Sequence, residues 1–273
     1  LENHTTEELT ILLCDVRNLM GLFEADTAPE AFQSLNRLFA QINQILTQQH
    51  GSIHKSSGER ILVTFKRRKF HAVDAIKAAI QMRYSLQEFS QNYPDFPPDT
   101  ITGIGMGIHT GCRARSILSF EDRLNSLAID NLVHTASRIE SLIEFYGCIA
   151  LASETTIAHI RSHQSSLNLQ EPSNQFLYRW VDSLAPRGKQ KGIELYEILG
   201  SQAYPIESGK VRSRSIFQRG IEAWQQRNPS LALNYFQQAI AQTPEDTIAK
   251  LYIKRCQNIL TSLAPQSPLY STL

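Results

Sequence analysis

Residues 8–15 read ELTILLCD, from Glu8 to Asp15, a short apolar run ending on a carboxylate. That pattern predicts a buried strand that stops where Asp15 reaches the surface. Downstream, residues 28–49 place Phe32, Leu35, Leu38, Phe39, Ile42, Ile45 and Leu46 three and four apart, the spacing of an amphipathic helix. Pro29 suits its first turn and Thr27 its cap, and His50 with Gly51 stops it. Two short runs, SIHKS and RILVTF, then flank Ser57, Gly58 and Glu59 and predict a tight hairpin.

A second helix is expected over roughly 70–90 through Ala72, Ala75, Ala78, Ala79, Met82 and Leu86, and NYPDFPPDT breaks it. ITGIGMGIHTG and RARSIL read as a further pair of strands around a glycine-bearing turn. A helix at about 129–146, a strand at 148–152, a helix capped by Ser153, and strands near 175–181 and 193–199 follow. Strand, helix, hairpin, helix, strand is an α+β pattern with a ferredoxin-like centre.

The 273 residues carry 27 basic and 26 acidic side chains, a balance that speaks against a broad polyanion binder. The one basic run, Lys66-Arg67-Arg68-Lys69, lies between a strand and a helix and reads as a solvated loop, so no nucleic-acid partner is expected. No apolar run approaches the roughly 18 residues that span a bilayer. The chain opens at Leu1 without a secretory signal and reads as a processed product or an excised piece. A membrane tether is expected only through a missing upstream region, and the domain itself is placed in the cytoplasm. Cys14, Cys112, Cys148 and Cys256 are scattered and read as small buried thiols of a reducing compartment. Two His-x-x-x-His spacings, His50/His54 and His159/His163, read as surface histidines: the first crosses a helix stop, and the second lacks a glutamate and an evident third ligand.

The expected organisation is a domain over 1–200, a linker over 201–213, a helical repeat over 214–262 and a tail over 263–273. In that repeat Gly220, Ala232, Phe236, Ala239 and Pro244 fall in the register of a tetratricopeptide-like unit. A single unit is short of the three such arrays need, so the helical tail is expected to pack on the first domain, on a protein partner or on further repeats beyond these residues.

The strand ending in CDV, the hairpin KSSGE, the string GIHTG, the helix VHTASRIES and the late RGK before a strand together resemble a class III adenylate/guanylate cyclase homology domain, from about Thr10 to Leu199. The resemblance implies a dimer, a homodimer or a heterodimer with another cyclase domain, with sites shared at its interface. It implies Mg or Mn as cofactor where nucleotide binding is retained, and ATP as nucleotide. In active relatives the 3′-hydroxyl attacks the α-phosphate and pyrophosphate leaves. The metal carboxylates fall on Asp15 and Glu59, the latter one methylene longer than the family's Asp. The residues alone leave Glu59 open between metal ligand and a hairpin-tip glutamate in water.

Base selection falls on Lys55 and on Leu127, where relatives carry Asp or Thr; an apolar side chain cannot read an amino group. The transition-state donors fall on Arg138, which is kept, and on His134, which replaces an Asn. Triphosphate contact falls on Arg187 with Lys189 beside it. Asn18, Leu19 and Met20 replace the Gly-Phe-Thr ending of the first phosphate-cradling turn, while Ser116, Ser119 and Ser126 stand in a segment where relatives carry glycines and a Tyr-Thr pair. Losing one pre-aimed donor typically costs ~10²–10³ in rate. The expected function is therefore a degenerate class III cyclase-like signalling domain, dimerising or docking partners, with weak or no turnover. The alternative is an active cyclase converting ATP, less readily GTP, to the cyclic nucleotide and pyrophosphate, on its own or as a heterodimer.

Overall fold

The computed structural model describes residues 5–17, 28–57, 60–92, 103–115, 122–184, 192–205 and 208–263. The chain divides into two compact units, Leu1–Ile206 and Glu207–Leu273. In the first, the described elements run β1 (Thr5–Arg17), α1 (Ala28–Gln48), β2 (Gly51–Ser57), β3 (Arg60–Phe65), α2 (His71–Asn92), β4 (Gly103–Arg115), α3 (Asp122–Glu140), α4 (Ile143–Tyr146), β5 (Ala150–Ser153), α5 (Glu154–Ser162), β6 (Phe176–Leu184) and β7 (Ile193–Ser201). The strands form one sheet in the order β2-β3-β1-β4-β5-β7-β6. Only β4 and β5 run parallel among the described pairs. The α+β class with a ferredoxin-like centre is as expected.

Strand β1 explains the two layers. Its alternation sends Leu12, Cys14 and Val16 to one face and Leu9, Ile11 and Leu13 to the other. The first face meets Leu38, Ile42 and Leu46 of α1, the alanines and Met82 of α2, and Ile157 and Ile160 of α5. The second meets Leu132 and Ala136 of α3. Burying each such leucine or isoleucine contributes about 1.5–3 kcal/mol. Both faces of β1 are therefore covered, which is why its run is nearly unbroken in apolar character.

The pair of strands expected around GIHTG is one strand, β4, running straight from Gly103 to Arg115. Its glycines do not turn the chain. A Cβ at Gly107 would lie 2.3 Å from the Ala136 carbonyl oxygen, and one at Gly111 would lie 2.5 Å from Leu132 Cδ2, so these positions let α3 lie directly on the sheet. The helix expected over 129–146 is two: α3 ends at Glu140, and α4 closes on Gly147 with φ of 59°. Ser153 precedes α5 but makes no cap hydrogen bond. Its hydroxyl is engaged instead by His109 Nδ1 at 2.9 Å and by Thr155 Oγ1 at 2.9 Å.

Cys14, Cys148 and Cys256 are buried as expected; Cys112 is exposed, because β4 extends past the sheet's covered region there. Arg67 of the basic run is exposed, as expected, and also pairs with a carboxylate. Its Nε donates to Asp74 Oδ2 at 2.8 Å, and Asp74 is buried. Across β6 and β7, Arg179 Nε donates to Glu197 Oε2 at 2.7 Å with both side chains fully buried.

The second unit is α6 (Ser208–Gln225), α7 (Pro229–Gln242) and α8 (Thr247–Leu263). Helix α6 starts at Ser208, inside the span read as linker, because Gly209 tucks against Thr243, whose Oγ1 donates to the Gly209 carbonyl at 2.9 Å. Phe217, Phe236 and Tyr252 form its buried aromatic centre. Gly220 sits flat on the Phe236 ring, where a Cβ would come within 2.7 Å.

Candidate functional site

Asp15 lies near the end of β1, opposite Arg60 of β3 and Gly105 of β4. Its odd position puts it on the face covered by α3, in line with Leu9, Ile11 and Leu13. The carboxylate is one-fifth exposed, and Arg60 Nε stands 3.9 Å from its Oδ1. The same guanidinium places Nη2 3.9 Å from Oε2 of Glu140, which is buried at the end of α3. Arg60 is more than half exposed. At 3.9 Å it makes no hydrogen bond to either oxygen, only a solvent-screened attraction. Burial first, then the charges of Asp15 and Glu140, push the neighbouring Cys14 thiol far above its ordinary range.

Helix α3 carries His134 and Arg138 four residues apart, hence on one helical face, and both are exposed. The helix is held on the sheet by Leu132 and Ala136 on its opposite face. Asp15 and the helix that carries His134 and Arg138 therefore lie on the same side of the sheet. Lys55 falls on β2, paired with Leu62 of β3 beside a bulge, and Leu127 falls within α3. The side chains of both lie outside the described residues. Glu59, Arg187 and Lys189 lie outside them too, as do Asn18, Leu19, Met20, Ser116 and Ser119, and the side chain of Ser126.

A hard divalent cation of the magnesium or manganese type takes carboxylate oxygens. Asp15, a partly exposed carboxylate with Glu140 near it across Arg60, has the donor chemistry for one. Sequence reasoning missed Arg60 and Glu140, which surround Asp15. A glutamate ending a helix and an arginine opening a strand carry no local signal; only β3 pairing with β1, and α3 lying on β4, brings them together.

The opposite face holds a chain of buried hydroxyls. Thr110 Oγ1 donates to Thr156 Oγ1 at 3.0 Å, Thr10 Oγ1 lies 2.8 Å from Thr110 Oγ1, and His71 Nδ1 lies 2.8 Å from Thr10 Oγ1. Burial, with the nearby His159 and His163 adding to it, lowers the His71 pKa to about 4. Burial alone lowers that of His109 to about 4. His159, read from sequence as a surface residue, is buried.

Fold and site together define a class: a ferredoxin-like α+β domain with a carboxylate at the end of its first strand and, on the same side, a helix presenting Arg138 to solvent. Residues 1–196 match the family described as Adenylate and Guanylate cyclase catalytic domain, and the chain belongs to that family. It is 28% identical over 258 residues to the Dictyostelium discoideum protein "Adenylate cyclase, terminal-differentiation specific", covering 93% of this chain and 12% of that one. It is 30% identical over 198 residues to an adenylate cyclase of Anabaena cylindrica, covering 71% of this chain and 37% of the relative. The chain therefore spans well under half the length of these relatives. Its fold resembles a bacterial light-regulated adenylyl cyclase structure with a TM-score of 0.53 at 16% identity, over 74% of this chain and 54% of that one. Among the described residues, no helix is long and apolar enough to cross a membrane.

Proposed function

We propose that this chain is a degenerate class III cyclase domain that works in signalling, holding nucleotide and metal weakly and turning over little or none. The observation that carries this reading is His134. It stands one turn before Arg138 on the exposed face of α3, in the place where the resemblance puts an asparagine donor. An imidazole offers its hydrogen from a different height than a carboxamide, so the developing charge on the α-phosphate meets Arg138 without its neutral companion. That loss amounts to ~10²–10³ in rate. Leu127 adds a second deficit, in reading the base.

Asp15, with Glu59 across the hairpin, would hold Mg²⁺ or Mn²⁺, and Lys55 and Arg187 would contact base and triphosphate, with Lys189 beside them. When bound, the cation supplies neutralisation of phosphate charge; the protein's own part is to orient the nucleotide and keep its charged oxygens paired. The domain acts as a dimer, with a copy of itself or another cyclase domain, and the three-helix unit, tetratricopeptide-like in its Gly220–Phe236 packing, docks a protein partner.

Asp15, Arg138 and the relatives named adenylate cyclases favour a second reading, an active ATP cyclase. Incubating the purified chain with Mn²⁺ and ATP or GTP, and following cyclic product, separates the two. The degenerate reading expects at most a trace of product above that of Asp15→Ala. Clear turnover that vanishes in Asp15→Ala overturns it, and activity gained only on mixing with another cyclase domain assigns the chain to a heterodimer.

A further inference from the structure

On the sheet face opposite Asp15, three side chains from three elements converge: Glu8 of β1, His71 at the start of α2 and His159 of α5. Their ligand atoms all lie within 4.8 Å of one another. His71 Nε2 is 3.8 Å from Glu8 Oε2, and His159 Nε2 is 3.5 Å from the same oxygen. The two imidazoles pack with ring centroids 4.0 Å apart.

The hydroxyl chain fixes the tautomer of His71. Thr110 gives its proton to Thr156, so the proton between Thr10 and Thr110 belongs to Thr10. Thr10 then accepts from His71 Nδ1–H. His71 Nε2 is left with its lone pair, aimed toward a carboxylate oxygen. Two acceptors facing each other at 3.8 Å repel unless a positive centre lies between them. His159 Nδ1 is buried and finds no hydrogen-bond partner; the ring stacks on His163 with centroids 4.3 Å apart, and its Nε2 faces the same oxygen. Glu8 is 46% exposed, which leaves a way in from solvent.

We propose that Glu8, His71 and His159 form a binding site for a divalent transition-metal cation of the zinc class, separate from the nucleotide site. Two imidazole nitrogens and one carboxylate oxygen are the donor set such ions take, whereas Mg²⁺ and Ca²⁺ take oxygens. Metal–ligand bonds of about 2.0–2.2 Å in a tetrahedron put ligand atoms roughly 3.4 Å apart, close to the separations of 3.5 and 3.8 Å here. Thr10, accepting from His71 Nδ1–H, is the outer partner that orients a metal-bound imidazole. Burial, the largest influence on both rings, depresses the pKa of each and favours the neutral form that ligates. The fourth position stays open to water or to a ligand atom from another molecule. Bound there, the ion would tie the start of β1 to α2 and α5.

The test uses the whole chain, free of any histidine tag and stripped with chelator, titrated with Zn²⁺ against a chromogenic competitor, and with Co²⁺ followed in the visible. The expected result is one equivalent of Zn²⁺ per chain and the strong visible bands of four-coordinate Co²⁺. Both should persist in Asp15→Ala and be lost in Glu8→Gln and His159→Ala. Glu8→Gln keeps the shape of a part-exposed side chain, so circular dichroism should report an intact fold. Thr10→Val should weaken affinity by ~10–100-fold. Absence of stoichiometric Zn²⁺, binding unchanged in Glu8→Gln and His159→Ala, or loss only in Asp15→Ala would overturn the proposal.

Discussion

Replacing Gly107 by alanine should lift α3 off β4. The new Cβ would lie 2.3 Å from the Ala136 carbonyl oxygen, 2.6 Å from the Glu140 nitrogen and 2.8 Å from Glu140 Cβ. Two of these three atoms are helix backbone and cannot rotate away, so the helix must retreat by about 1 Å to reach ordinary contact. Overpacking of this kind costs about 1–3 kcal/mol. Against it stands a gain of about 0.4–1 kcal/mol, because alanine restricts the unfolded chain more than glycine does. The two ranges leave a net loss of up to about 2.6 kcal/mol, centred on about 1.3 kcal/mol, or a fall in Tm of roughly 3–5 °C at that centre for a unit of this size.

Gly111→Ala is the internal control. Its Cβ would meet Leu132 Cδ2 at 2.5 Å, the far end of a side chain that can change rotamer, so cost and gain nearly cancel. Urea and thermal unfolding of both variants, followed by circular dichroism, read the contrast. A Gly107→Ala protein as stable as the parent would refute the claim that Gly107 admits the helix backbone, and a Gly111→Ala protein damaged equally would refute the claim that contact with backbone rather than with a movable side chain sets the cost.

The ion pair between Arg179 and Glu197 is fully buried. Glu197→Gln should therefore lower stability by about 3–5 kcal/mol in urea unfolding by removing the negative charge that meets the Nε of this buried guanidinium. Replacing both partners by leucine or methionine should recover most of that loss. His109 ties stability to pH. Its folded pKa is about 4 against an ordinary 6.5, so the unfolded chain takes up a proton first as pH falls. Its contribution is complete above pH 6.5 and is lost between 6.5 and 4, with about 2 kcal/mol gone by pH 5. Unfolding curves at pH 7 and pH 5 should show that loss, and His109→Gln should remove its share of the difference.

Much of the fold can be read from residue pattern because pattern and packing agree there. The alternation in ELTILLCD corresponds to two buried faces of β1, and the four-residue spacing of Leu38, Ile42 and Leu46 is the stripe that α1 lays on the sheet. The reading fails where one residue type serves two physical ends. Glycine marks turns, but in β4 it admits a helix backbone, so a single strand reads as two. Ser153 is the residue type that caps helices, yet its hydroxyl is engaged by His109 and its neighbouring threonine hydroxyls.

The candidate site divides along the same line. Asp15 is legible because a carboxylate closing an apolar run is a local feature, and His134 and Arg138 because helical spacing puts them on one face. Arg60 and Glu140 are not legible, since strand pairing and helix packing make them neighbours of Asp15. His159 misleads for the same reason: besides His163, on which its ring stacks, it meets Glu8 and His71, brought to it by β1 and α2.

The central claim is that the domain lacks a transition-state donor at position 134, and the ratio of cyclic-product formation by His134→Asn to that of the parent, with Mn²⁺ and ATP, tests it most directly. The account predicts a rise of ~10²-fold or more, abolished again by Asp15→Ala. A parent that turns over as fast as His134→Asn, or faster, would contradict it.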